Sequence, residues 1–128
     1  MKVLIDTHVL LWWLVDDGRL TRRARQILAN GDSEVYFSAA SSWEISIKVG
    51  LGRLTLPDPP RVFIPAVLRE QSIRPLGITH SHALAVAELP PHHRDPFDRM
   101  LVAQAQLEKL AIVSGDPLLR RYKVKVAW

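Results

Sequence analysis

The chain predicts a single three-layer α/β/α sandwich with a mostly parallel central sheet. Short aliphatic and β-branched runs of strand length alternate with longer segments of helical periodicity. Strands alternating with helices call for crossover connections, hence parallel pairing with both faces of the sheet covered. The 128 residues, 48% of them hydrophobic, suffice for one core but not for two ordinary domains. No internal repeat, low-complexity tract or interdomain linker divides residues 1–128.

Val3-Leu4-Ile5 ends at Asp6 and reads as the first, buried strand. Val9 to Val15 follow as an almost wholly apolar helix, with Trp12 and Trp13 packed against neighbours. Thr21 caps a second helix that closes at Asn30-Gly31. Val35-Tyr36-Phe37 is the second strand; Ser38 or Ser41 caps the helix carrying Trp43 to Val49, which Gly50 and Gly52 break. The prolines of Leu56-Pro57-Asp58-Pro59-Pro60 supply no backbone donors and restrict their predecessors, so this stretch is a connector. A helix from about Arg61 to Gln71 and a strand from Ile73 to Leu76 come next. Thr79 caps a helix through Glu88 that Leu89-Pro90-Pro91 ends. Asp95-Pro96 opens a helix to about Leu110 and Ala111-Ile112-Val113 is a further strand. Asp116-Pro117 starts a short helix, and Val124-Lys125-Val126 is the last strand.

Composition narrows the function classes. No uncharged span reaches membrane length, which excludes a transmembrane helix. The first residues lack the apolar segment of a secretion signal. Cysteine is absent, so neither disulfides nor thiolate metal sites contribute, and a reducing cytoplasm is the expected location. Seventeen Lys and Arg against thirteen Asp and Glu leave a net charge of +4. That mild excess favours approach to a polyanion without identifying one. Arg22-Arg23 and Arg120-Arg121 read more readily as solvated helix faces than as nucleic-acid contacts.

Four acids, Asp6, Glu44, Asp98 and Asp116, lie at or near places where an apolar run hands over to a helix. Asp6 ends the first strand, where open parallel sheets present side chains to ligands, or it merely caps the helix that follows. Glu44 shares a helix face with Ala40, Ile47 and Lys48, so it either pairs with Lys48 at the surface or points into a cleft. Asp98 shares a face with Leu101, Val102 and Ala105, and a carboxylate on that apolar side needs a metal or dense hydrogen bonding. The competing reading has Asp98 accept amides of the helix's first turn, with Asp95 as N-cap and Pro96 at the first helical position. Asp116 follows a strand and a tight turn and precedes Pro117, again a rim position or an N-cap. His80 and His82 diverge on a helix and His92-His93 sit in a Pro-rich loop, so a histidine metal centre is not expected. An all-oxygen site suits magnesium or manganese.

Ile5-Asp6-Thr7-His8-Val9-Leu10-Leu11-Trp12, Ser38-Ala39-Ala40-Ser41-Ser42-Trp43-Glu44-Ile45, the run His93 to Ala105 around Pro96-Phe97-Asp98-Arg99, and Val113-Ser114-Gly115-Asp116 stand in this order. Together they resemble the PIN-domain ribonucleases, in particular the VapC-type toxins of bacterial toxin–antitoxin pairs, over essentially the whole chain. The resemblance implies a PIN-like sandwich and an acidic quartet of Asp6, Glu44, Asp98 and Asp116 as catalytic and metal-holding residues. Asp6 and Asp98 would be principal ligands, with Thr7 and Ser114 in support. It further implies RNA phosphodiester hydrolysis by water activated at one or two Mg²⁺ ions, with Mn²⁺ a possible substitute. A homodimer and a small antitoxin blocking the cleft are implied as well, and apolar residues of the first and third helices would supply such surfaces or belong to the core. Arg94, Arg99, Lys48 and Arg120-Arg121 are the expected phosphate contacts. The alternative is a metal-binding α/β regulatory or interaction module without nuclease activity. Against a phosphoacceptor of that kind, the first strand is not followed by paired acids and no lysine follows the late strand.

Overall fold

Val3, Leu4 and Ile5 have no solvent exposure at any position, the burial of a strand covered on both faces. In the computed structural model, which describes residues 1–128, they form the centre of the sheet. The strands are β1 (Lys2–Ile5), β2 (Glu34–Ser38), β3 (Arg74–Leu76), β4 (Ala111–Val113) and β5 (Val126–Ala127). The helices are α1 (Thr7–Leu14), α2 (Arg22–Ala29), α3 (Ala39–Gly50), α4 (Pro60–Glu70), α5 (His80–Ala85) and α6 (Pro96–Glu108). Single 3₁₀ turns occupy Val86–Glu88 and Pro117–Arg121.

The sheet runs β3-β2-β1-β4-β5 and every pairing is parallel. Ile5 stands opposite Phe37 of β2 and Val113 of β4. Alternation along β1 divides the core. Val3 and Ile5 pack with Val9 and Leu10 of α1, Ala24 of α2, Ile45 of α3 and Ile64, Val67 and Leu68 of α4. Leu4 faces the opposite layer, with Leu101, Val102 and Ala105 of α6, Leu119 and Tyr122. The three-layer sandwich is thus as the sequence predicts. No helix is long and apolar enough to cross a membrane.

Caps follow their residue chemistry. The Thr21 hydroxyl accepts the Ala24 amide, and Ser38, rather than Ser41, caps α3 by accepting the Ala40 amide at 3.0 Å. Some boundaries depart from expectation. The segment after Thr79 tightens into a 3₁₀ turn at Val86 instead of continuing as α-helix to Glu88, because Pro90 disfavours a helical Leu89 and the Arg99 guanidinium takes the Val86, Leu89 and Pro90 carbonyls. The last strand lies at Val126–Ala127 instead of Val124–Val126, because pairing of Ile112 with Val126 and Val113 with Ala127 sets its register. Ile73 donates to the Leu68 carbonyl at the end of α4, so β3 starts one residue later than expected.

The chain leaves β1 toward β2 on one side and returns past it to β4 on the other. The crevice beyond the carboxyl ends of β1 and β4 is therefore the topological switch point, the place where such sheets bind ligands. Asp6 follows β1 and Ser114-Gly115-Asp116 follow β4. Gly115 is required there by space: a Cβ would lie 2.9 Å from the Trp128 indole. Gly115→Ala is expected to cost about 1 kcal/mol of unfolding free energy in urea denaturation, with a change in tryptophan fluorescence as the indole shifts. A Trp128→Leu background should reduce that cost; an equal cost in both backgrounds would locate the effect elsewhere.

Candidate active site

Asp6 occupies the N-cap position of α1 without capping through its side chain. Its carboxylate accepts the Ser114 hydroxyl at 2.7 Å, while Ser114 Oγ accepts the Asp116 amide at 3.1 Å. One serine thereby ties the two rim acids from adjacent strands. Burial holds the Asp6 carboxyl above its ordinary proton affinity; the Ser114 hydroxyl, His8 and the Thr7 amide oppose that, and the Glu44 charge adds to it.

Asp98 lies in the first turn of α6, but the cap is Asp95, whose carboxylate accepts the Phe97 and Asp98 amides at 2.7 and 3.4 Å. The Asp98 carboxylate accepts no hydrogen bond. Burial pushes its pKa from 3.8 up to about 7, and the charges of Asp95, Asp6 and Asp116 act in the same direction, opposed by His93. Of the two local readings of Asp98, the geometry therefore retains the one in which the carboxylate lacks compensation from the chain itself.

Asp116 both caps and borders His93 and Asp98. Oδ1 caps the Pro117–Arg121 turn by accepting the Leu118 amide at 2.9 Å, and Oδ2 faces His93. Glu44 likewise combines its two readings. It pairs with Lys48 at 3.1 Å, yet its side chain is only 13% exposed and lies near enough to Asp6 to raise that residue's proton affinity. Trp43 is 60% and Ile47 39% exposed, because the buried stripe of α3 runs through Ala40, Ser41 and Ile45. Thr7 is buried, and its hydroxyl reaches Ser41 of α3 at 2.8 Å rather than any acid, joining α1 to α3.

No histidine metal centre is expected from the sequence, yet one histidine borders the acids. His93 Nε2 lies 2.6 Å from Asp116 Oδ2, and one ligand atom each from His93, Asp98 and Asp116 fall within 4.8 Å of one another. Sequence reasoning set His93 aside because it lies in an irregular segment; only its adjacency to the Asp95-Pro96 helix start hinted at the site. His82, by contrast, is structural, completing a capping box with Thr79 and meeting Glu108 at 2.9 Å. Of the basic residues expected to receive phosphate, Arg99 is committed to backbone carbonyls and Lys48 to Glu44, whereas Arg94, Arg120 and Arg121 are exposed.

The pKa of Asp98 rises on folding, so the folded chain binds a proton more tightly than the unfolded one. The contribution of Asp98 to metal-free stability is then fully present below about pH 4 and is lost as pH climbs through about 7. Asp98→Asn in chelator should raise the melting temperature at pH 8 by a few degrees, on the order of 1–2 kcal/mol after allowing for solvent screening in the open cleft. The gain should vanish at pH 4; a gain equal at both pH values would contradict the shift.

Comparison with known proteins bears on the family and the fold. The PIN domain family pattern matches residues 3–125. Ribonuclease VapC22 of Mycobacterium tuberculosis is 30% identical over 122 residues, 94% of this chain and 92% of that protein. In fold, the chain is similar to VapBC2 from Rickettsia felis, solved bound to a DNA fragment from its promoter, with a TM-score of 0.71 at 11% identity over 98% of this chain and 97% of the other. FitAcB from Neisseria gonorrhoeae gives a TM-score of 0.62 at 22% identity over 97% and 95% of the two chains.

Proposed function

This chain belongs to the PIN domain family, and from that premise we propose that it is a VapC-type toxin, a Mg²⁺-dependent endoribonuclease whose acidic quartet is Asp6, Glu44, Asp98 and Asp116. The observation that supports this most directly is the half-buried Asp98 carboxylate, which has no hydrogen-bond donor and stands beside Asp116. Such a group is costly in isolation and is stabilised by a cation.

The donor set fits a hard divalent ion. Carboxylate oxygens prevail, thiolates are absent, and the His93 imidazole is already engaged by Asp116. Asp6 and Asp98 would hold the ion, with Asp116 and Glu44 completing the shell directly or through water. When bound, Mg²⁺ or Mn²⁺ supplies Lewis acidity that eases deprotonation of water and neutralises charge building on the phosphate. The chain's own residues do the rest. Ser114 fixes the Asp6 carboxylate, Lys48 restrains Glu44, and the N-termini of α1 and α6 place partial positive charge beside Asp6 and Asp98, favouring their ionised state. Exposed Arg94, Arg120 and Arg121 remain available to the RNA backbone.

RNA cleavage assayed for the wild type, Asp6→Asn and Asp98→Asn with Mg²⁺ and with chelator tests the proposal. Each substitution should lower the rate by at least the roughly 10- to 100-fold typical of residues that support a metal, and chelator should abolish cleavage by the wild type. Equal cleavage by all three proteins would reject the mechanism, and metal-independent cleavage would reject the ion's role.

We also assign the chain an antitoxin partner, since solved structures of similar fold include a toxin–antitoxin complex from Klebsiella pneumoniae, and a homodimeric state. Exposed Trp43, Ile47 and Leu51 of α3 and the turn after it offer apolar surface for the latter. Light scattering should return twice the 14.5 kDa chain mass; a monomer at high concentration would exclude the dimer.

A further inference from the structure

The four acids leave one buried polar chain without a role. His93 is buried and both ring nitrogens are engaged, Nε2 at 2.6 Å from Asp116 Oδ2 and Nδ1 at 2.9 Å from the Tyr122 hydroxyl. Tyr122 is buried too, with its ring stacked on the imidazole at 5.4 Å and 19°. We propose that His93 and Tyr122 are positioning residues that lock the Asp116 carboxylate in the orientation a divalent cation requires.

The donor and acceptor inventory sets the direction of the chain. An ionised carboxylate only accepts, so Nε2 carries the proton given to Asp116. With Nδ1 unprotonated, the ring presents a lone pair there, and the phenol donates to it. With Leu118 N–H on Oδ1 and His93 on Oδ2, Asp116 cannot rotate without breaking two hydrogen bonds. Each oxygen keeps a further lone pair. This is the carboxylate–imidazole support found around metal ligands, here acting on an oxygen donor. Asp98, across the same space, has no such restraint.

The backbone is arranged to the same end. Asp116 opens the 3₁₀ turn Pro117–Arg121 and Tyr122 follows its last residue, so residues 116–122 bring acid and phenol to opposite sides of one imidazole. A phenylalanine would fill the same core volume without an oxygen that is costly to bury. The hydroxyl at residue 122 makes its hydrogen bond to His93 and to no other side chain.

The role rests on the cleft holding a metal, and it differs from His93 being itself a ligand. The latter requires Nε2 to lose both its proton and its bond to Asp116. Nitrogen NMR of the full chain in chelator should show neutral His93 protonated at Nε2, and Mg²⁺ should leave that proton in place. Mn²⁺ titration by calorimetry should show Tyr122→Phe weakened about tenfold, with kcat for RNA falling and KM within twofold of wild type. Because an amide at the end of glutamine reproduces Nε2 and that of asparagine reproduces Nδ1, His93→Gln should bind Mn²⁺ more tightly than His93→Asn at similar melting temperatures. Equal affinities for those two variants, or wild-type affinity in Tyr122→Phe, would overturn the proposal. So would a metal-free spectrum with the proton on Nδ1, or its loss from Nε2 on adding Mg²⁺. Absence of Mn²⁺ binding by the wild type would instead overturn the metal-site reading and this role with it.

Discussion

Mutual repulsion among Asp6, Asp98 and Asp116 is the constraint around which this end of the protein is organised. Folding brings residues 110 positions apart in sequence into one half-buried cleft. Burial and like charge both raise proton affinity there, and for Asp98 the two are not offset by any hydrogen bond. The central sheet has to be stable enough to hold this arrangement. Its middle strands, with Val3, Leu4, Ile5, Ile112 and Val113 fully buried, supply that stability through apolar packing on both faces.

The supports differ from acid to acid, and the differences are informative. Ser114 bridges the ends of β1 and β4, so the separation of Asp6 and Asp116 follows from the strand pairing itself. Glu44 and Asp98 are carried on separate helices, α3 and α6, whose relation is held elsewhere. Ser38, the cap of α3, donates to Gln104 of α6 at 2.5 Å, and Gln104 is wholly buried. Thr7 and Ser41 similarly join α1 to α3. Buried polar pairs thus fix the spacing between elements whose apolar faces alone would allow sliding.

Local rules anticipated much of this. Asp6, Asp98 and Asp116 each had a capping explanation beside the functional one, and the structure separates them individually. Asp116 caps and faces His93, Asp98 leaves the capping to Asp95, and Asp6 sits at a cap position while its oxygen goes to Ser114. Sequence could not resolve this, because an N-cap and a ligand use the same oxygens on the same short side chain. The partners of Arg99 and His93 were hidden for a related reason: an exposed cation and a loop histidine look alike in sequence whether solvated or committed. Here loop carbonyls claim the one, and a rim acid and a distant tyrosine claim the other.

The sequence by itself determined the layer architecture and the helix and strand order and marked four acids as candidates, since apolar periodicity, proline and glycine placement and capping chemistry are properties of neighbouring residues. The exact last strand, the partners of each acid and the membership of His93 and Tyr122 were decided only in three dimensions. Those features depend on strand register and on hydrogen bonds between segments far apart in the chain. Such contacts form only when the packed core has brought both partners within about 3 Å of each other.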